Sequence, residues 1–182
     1  MMDERPTIDP EELWRAREPI VLAPHDPRWP TAAEQEGRRL TRACGPLVIG
    51  VEHIGSTSVP GLIAKPLLDL MPLVKRYEDG FACVGPMRAL GYWYAGEFGI
   101  PGRHLFVKGS PRTHHAHMLV EGSKAARRHL AVRDVLRASP EMAAKYAALK
   151  KGLAARFGDD RENYAMAKSA FMRELFDRAG VD

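Results

Sequence analysis

Cysteine is almost missing from this chain. There are two in 182 residues, Cys44 and Cys83, and they lie far apart. Their spacing fits neither a zinc-ligand set nor a redox pair, so the expectation is two buried thiols in a reducing, cytoplasmic setting. No apolar run approaches bilayer length, which predicts a soluble protein without membrane contact. The start, residues 1–10, has no basic head or apolar core of a secretory leader. Charge of one sign is also lacking. Lys plus Arg number 27 and Asp plus Glu 23, a net charge of +4. Such a balance permits an anionic ligand without calling for a nucleic acid. Two nucleotide and ester signatures fail by spelling. Gly50 and Gly55 have the glycine spacing of a phosphate-binding P-loop, but Ser56 stands where the lysine belongs. No serine is flanked as in a hydrolase elbow.

Hydrophobic residues, 45% of the chain, are enough for one globular unit. The spacing predicts an arm over residues 1–18, with a helical turn at Pro10 leading to Leu13 and Trp14. A core over 19–122 and a helical part over 123–182 follow. Within the core, strands are expected at 20–22, 47–54, 67–71, from 91 to 94, 104–108 and 114–120. Helices are expected from Pro30 to about Cys44, and over 78–90 with an interruption at Gly85-Pro86. Three more should run over 123–138, 139–157 and 161–178. Strands joined by short turns should pair antiparallel. The result is an α+β fold with a mixed sheet.

The chemistry concentrates between Val51 and Leu70. A strand delivers the chain to Gly55, and Ser56, Thr57 and Ser58 follow as three hydroxyls on a turn. Small residues with free amides after a strand make an anion-binding concavity. Lys65 adds a positive charge, free to meet a phosphate or to pair with Asp69. Asp69 lies inside an apolar run, where a carboxylate needs a metal, a basic partner or a water-filled cavity. His115 and His117, two apart on a strand, should face one way. Beside Asp69 they would form a metal-binding cluster of Asp69, His115 and His117, suited to Zn²⁺, Mn²⁺ or Fe²⁺. Alternatively His117 stabilises phosphate charge or moves a proton, or both rings serve the sheet alone. Glu52 is a further candidate carboxylate, with a salt bridge to Lys65 or Arg112 as its plainer role. Arg112 and Arg103 have forks suited to phosphate, Arg103 being the weaker candidate. Tyr164 and Lys168 are four apart, so they should share a helix face that Phe171 and Leu175 continue, leaving the Lys168 amine to reach a cleft. The basic residues of the last helices, Lys150 among them, carry no interleaved aromatics and fit a solvated face, which makes nucleic acid an unlikely partner.

The run from Glu52 to Leu70 resembles the signature of the GrpB family, an uncharacterised group within the DNA polymerase β-like nucleotidyltransferase superfamily. Arg112-Thr113-His114-His115-Ala116-His117 is similar to the family's histidine-rich strand, His129 to Arg137 and Tyr146 to Lys150 to its helical segment, and Tyr164 with Lys168 to its closing motif. The resemblance implies a nucleotidyltransferase-like core, phosphates held at Gly55 and Ser56, and Mg²⁺ or Mn²⁺ held by carboxylates two residues apart on the next strand. This chain has Asp69 but Met71 in the second place, a thioether that Mg²⁺ does not choose over oxygen. The expected function is binding of a nucleoside triphosphate, or another phosphorylated small molecule, with a divalent metal, and nucleotidyl transfer to an acceptor. The alternative is a non-catalytic nucleotide-binding or regulatory module linked to coenzyme A metabolism. In the first, Asp69, His117 and Glu52 are catalytic, while Gly55, Ser56, Thr57, Ser58, Lys65, Arg112 and Lys168 hold the nucleotide.

Overall fold

Proline opens the first helix, as its fixed φ and missing N–H suit a first turn. In a computed structural model, which describes residues 19–181, this helix, α1 (Trp29–Cys44), buries Ala33, Leu40 and Cys44. The arm and its helical turn at Pro10 lie outside the described residues. Residues 20–22 form no strand. Pro19 and Pro24 flank them, and only Ala23 makes a bridge, with Ala64. Strand β1 (Gly50–Ile54) starts three residues later than its apolar pattern suggests, because Pro46 draws Gly45–Leu47 into a 3-10 turn.

Four more strands follow: β2 (Leu68–Val74), β3 (Tyr92–Tyr94), β4 (His104–Lys108) and β5 (His114–Val120). Their order in the sheet is β1-β2-β5-β4-β3. The pair β2–β5 is parallel and the other three are antiparallel. Between β2 and β3 lie α2 (Tyr77–Ala82) and α3 (Val84–Ala89). The break falls at Cys83 rather than at Gly85-Pro86, since Pro86 fits the first turn of α3. The structure brings Cys83 against Cys44 in the core, where the two thiols are free and share a hydrogen bond.

The C-terminal helices are α4 (Lys124–Ala138), α5 (Pro140–Phe157), α6 (Arg161–Met166) and α7 (Ser169–Ala179). Ser123, Ser139 and Asp160 cap α4, α5 and α6 with side-chain oxygens. The expected single helix over 161–178 is two helices, broken at Ala167 and Lys168. Tyr164 therefore packs with Ile20 and Leu153, while Phe171 and Leu175 join a different cluster with Val59, Leu62 and Tyr146.

Side-chain alternation divides the sheet. Leu68, Leu70, Ala116, Met118, Phe106 and Tyr92 pack against α1 and α3. On the other face Ile54, Met71 and Leu119 pack against Ala126 of α4. Asp69 shares that second face, two residues from Met71, and so do His115 and His117. The fold is thus a mixed five-stranded sheet with flanking helices, α+β, and no helix among the described residues is long and apolar enough to cross a membrane.

Candidate functional site

The parallel pairing of β2 and β5 sets Asp69 beside His115, and Ile54 lies opposite Asp69 on β1. The chain then leaves β1 through Gly55, which stands at φ 69°. This glycine is required twice over. Its φ lies in the left-handed region, and a Cβ there would come within 2.9 Å of the Asp69 Cβ and strike its carboxylate. The turn is therefore seated on the acid.

Asp69 Oδ1 faces both imidazoles, His117 Nε2 at 3.2 Å and His115 Nδ1 at 3.3 Å. Burial raises a carboxylate, but the hydrogen bonds from His115 and then His117 outweigh it, and Asp69 is held well below the ordinary range. Its side chain keeps 24% of its surface open, so the site faces solvent. Donor atoms of Asp69, His115 and His117 all lie within 4.8 Å of one another. The His115 Nε2 atom is buried without a partner. Burial pushes His115 down to about 4, against the pull of Asp69. His129 of α4 lies with its ring centre 5.0 Å from that of His117, tilted at 55°, and is pushed down to about 3, first by burial and then by His117.

Beside this acid and its histidines lies a group of lysines. Lys150, only 2% exposed, donates from Nζ to Ser56 Oγ at 3.1 Å and to the Ile63 carbonyl. Tyr146 also hydrogen bonds Ser56. The Lys65 and Lys168 amines lie 5.6 and 4.4 Å from the centre of the Tyr164 ring. Burial lowers all three lysines; repulsion from Lys168 and Lys65 adds to it at Lys150, and from Arg161 and Lys168 at Lys65, while the charge of Asp69 draws Lys65 and Lys168 partly back up. Lys65 and Lys150 fall to about 7 and Lys168 to about 8. Arg161 adds to the repulsion on Lys65 and Lys168, and Arg112 to that on Lys65. Among the described residues none of the three lysines pairs with a carboxylate. Beyond the pull of Asp69 on Lys65 and Lys168, water or an anion is left to balance them, and neighbouring amines with a hydroxyl suit phosphate oxygens.

These lysines carry a pH dependence. Their unfolded value is 10.5. Between pH 7 and 10 these three lysines hold more protons in the unfolded chain than in the folded one, so their contribution to stability rises with pH. Urea denaturation of the ligand-free protein should show a rising unfolding free energy from pH 7 to 9.5. A flat or falling profile would contradict the crowding of these amines.

Several candidates take other roles. Glu52 pairs with Arg133 of α4 at 2.6 Å, rather than with Lys65 or Arg112. Thr57 and Ser58 are 1% and 2% exposed, with hydroxyls committed to His53 Nε2 at 3.0 Å and to the Gly55 carbonyl at 2.6 Å. Of the three hydroxyls Ser56 is the one that meets a lysine, Lys150. Arg112 lies near enough to lower both Lys65 and His115. Lys65 makes no ion pair with Asp69. Lys168 reaches the site from the break before α7, not from a continuous helix face. Arg103 is buried at 5% exposure and does not offer itself to a ligand. Met71 is fully buried with Ile54, Leu119 and Ala126, so the position where the resemblance implies a second carboxylate belongs to the core.

Lys150 is the residue that sequence reasoning assigned wrongly, to a solvated face. A signal existed: Tyr146, Lys150 and Leu153 fall at i, i+4 and i+7, on the apolar stripe of α5.

The comparisons with known proteins agree with this frame. The family model described as GrpB protein matches residues 19–178. The UPF0157 protein YqkA of Bacillus subtilis (strain 168) is 40% identical over 161 residues, which cover 88% of this chain and 46% of that protein. The chain thus spans just under half the length of that relative. A dephospho-CoA kinase of Mycolicibacterium paratuberculosis is 27% identical over 190 residues, covering 90% of this chain and 47% of the kinase. The crystal structure of the conserved protein GrpB from Enterococcus faecalis superposes with a TM-score of 0.82 at 37% identity, covering 87% of this chain and 96% of that one. A family match over nearly the whole described chain, and a solved GrpB fold of the same extent, converge: this chain belongs to the GrpB family.

Proposed function

We propose that the site binds a nucleoside triphosphate, or another phosphorylated small molecule, together with a divalent ion, and serves nucleotidyl transfer to an acceptor. The observation that carries this reading is a set of three lysines, Lys150 on Ser56 Oγ and Lys65 and Lys168 beside the Tyr164 ring, all depressed by burial and none ion-paired with a carboxylate among the described residues. A polyphosphate laid on them relieves their repulsion and accepts their hydrogen bonds. Arg112 stands at the same rim. In the transfer, the acceptor oxygen bonds to the α-phosphorus, and the bond from that phosphorus to the bridging oxygen breaks. Pyrophosphate leaves, its developing charge met by the lysines. The acceptor's proton goes to water at the open side of the site, where the Asp69 side chain keeps part of its surface exposed.

The donor set bears on the metal. Mg²⁺ prefers oxygen, and binds through one or two carboxylates plus substrate phosphates. Asp69 supplies one such carboxylate and would hold an Mg²⁺ or Mn²⁺ ion carried by the triphosphate, which would supply neutralisation of phosphate charge. Asp69, His115 and His117 would suit Mn²⁺ or Zn²⁺ better than Mg²⁺ only if both rings turned a bare nitrogen to the ion.

A second reading, a nucleotide-binding module without turnover and linked to coenzyme A metabolism, is favoured by Met71 in the core and by the likeness to a dephospho-CoA kinase. Titration calorimetry separates the two. ATP, GTP, CTP, UTP and dephospho-CoA are titrated with and without Mg²⁺ or Mn²⁺, against wild type and Asp69→Asn. Saturable metal-dependent binding lost in Asp69→Asn is the expected result. Binding indifferent to metal and to Asp69 supports the module. No binding of any of these ligands overturns both readings.

A further inference from the structure

The loop over residues 96–103 is wrapped around one guanidinium. Arg103 Nε donates to the Glu97 carbonyl at 3.1 Å and Nη2 to the Phe98 carbonyl at 2.6 Å. Phe98 stands at φ 46°, a left-handed conformation that a residue with a Cβ rarely adopts. Gly102, at φ 76°, gives its amide to Glu97 Oε1 at 2.6 Å. Strain and hydrogen bonds are thus concentrated on holding one buried side chain.

The remaining nitrogen of that fork, Nη1, lies 3.1 Å from His117 Nδ1. A guanidinium nitrogen offers only hydrogens, so Nδ1 must be the acceptor. The ring's hydrogen then sits on Nε2, where it is donated to Asp69 Oδ1 at 3.2 Å. A ring in that form has no lone pair at Nε2. A metal bound there would require the hydrogen to move to Nδ1, directly against Arg103, whose ties to two carbonyls keep it in place. Metal-ligating histidines ordinarily give the other ring hydrogen to a carboxylate or carbonyl. Here that position meets a cation.

We propose that Arg103 is a positioning residue that locks His117 as a hydrogen-bond donor to Asp69. It thereby keeps Asp69, His115 and His117 from closing on a transition-metal ion, and leaves the other carboxylate oxygen for the cation that a phosphorylated ligand brings. The inference rests on the reading of Asp69 as the acid of the site. Its test is made on the ligand-free protein, so it can fail while nucleotide binding stands, and the reverse.

Long-range nitrogen–proton NMR of histidine-labelled wild-type protein at pH 7.5 reads the tautomer directly. Nε2 of His117 should show the shift of a protonated nitrogen and Nδ1 that of a bare one. The opposite assignment overturns the proposal, whatever any variant does. Titration with Co²⁺ alone supplies the second readout. Wild type should develop no visible ligand-field bands from this cluster. Arg103→Leu should gain them, with Co²⁺ affinity raised at least about tenfold, and the double variant Arg103→Leu/His117→Gln should lose them again. Strong Co²⁺ bands in wild type that vanish in His117→Gln, or a folded Arg103→Leu protein with no gain, would each overturn the lock.

Discussion

Replacing Lys150 with methionine should weaken ATP binding by about 100-fold or more, the loss expected when charge-assisted hydrogen bonds of roughly 1.5–3 kcal/mol disappear from a buried site. Three features set the size of the effect. The amine is 2% exposed and touches Ser56 Oγ, the one hydroxyl of the turn that meets a lysine. Its neighbours Lys65 and Lys168 sit beside the Tyr164 ring instead. Its repulsion with them is unrelieved until an anion arrives. Methionine keeps the length of the stem against Tyr146 while removing the charge. The fold should survive, because the lost hydrogen bond to the Ile63 carbonyl is offset by removal of a buried cation. Lys151→Met, one residue on and exposed, should bind ATP as wild type does. Calorimetry with thermal unfolding alongside checks both. Equal affinity in wild type and Lys150→Met would remove Lys150 from the site.

The second large effect concerns Met71, two residues beyond Asp69 on the same face of β2. Met71→Asp should destabilise the protein by about 3–5 kcal/mol, the range found when a buried charge is left uncompensated. It should not restore a metal pair. Met71 is fully buried between Ile54, Leu119 and Ala126, and the residue opposite it on β1 is Glu52, already a carboxylate. Met71→Leu, which keeps volume and polarity, should cost less than about 1.5 kcal/mol. Urea denaturation gives both numbers. A Met71→Asp protein as stable as wild type would mean that the acid reaches solvent or an ion, and the site would need redrawing.

The pattern of legibility follows from how local each feature is. Period-two alternation on β2 and β5 made it possible to place His115, His117 and Asp69 on faces, and short turns gave the antiparallel pairs. The cap at Ser123 and the stop at Gly158 were equally local, and the helices between them match closely. What escaped depended on contacts between distant segments. Arg133 meets Glu52 because α4 crosses β1, and no spacing announces that. The break at Ala167 and Lys168 contains neither glycine nor proline, so nothing local marks it. Arg103 looked like an ordinary loop arginine, since its role depends on the Phe98 backbone and on a histidine fourteen positions on. Lys150 was hidden by composition: one cation among many on basic helices, distinguished only by lying in register with Tyr146 and Leu153.

The electrostatic state of the lysine cradle can be weighed in solution. Titration calorimetry of ATP with Mg²⁺ at pH 8, repeated in buffers of different ionisation enthalpy, counts the protons exchanged on binding. Lys65, Lys150 and Lys168 are partly neutral at that pH when the site is empty, and bound phosphate restores their charge. The account predicts saturable binding with net proton uptake, reduced in Lys150→Met. Binding without proton uptake, or no binding at all, would contradict it.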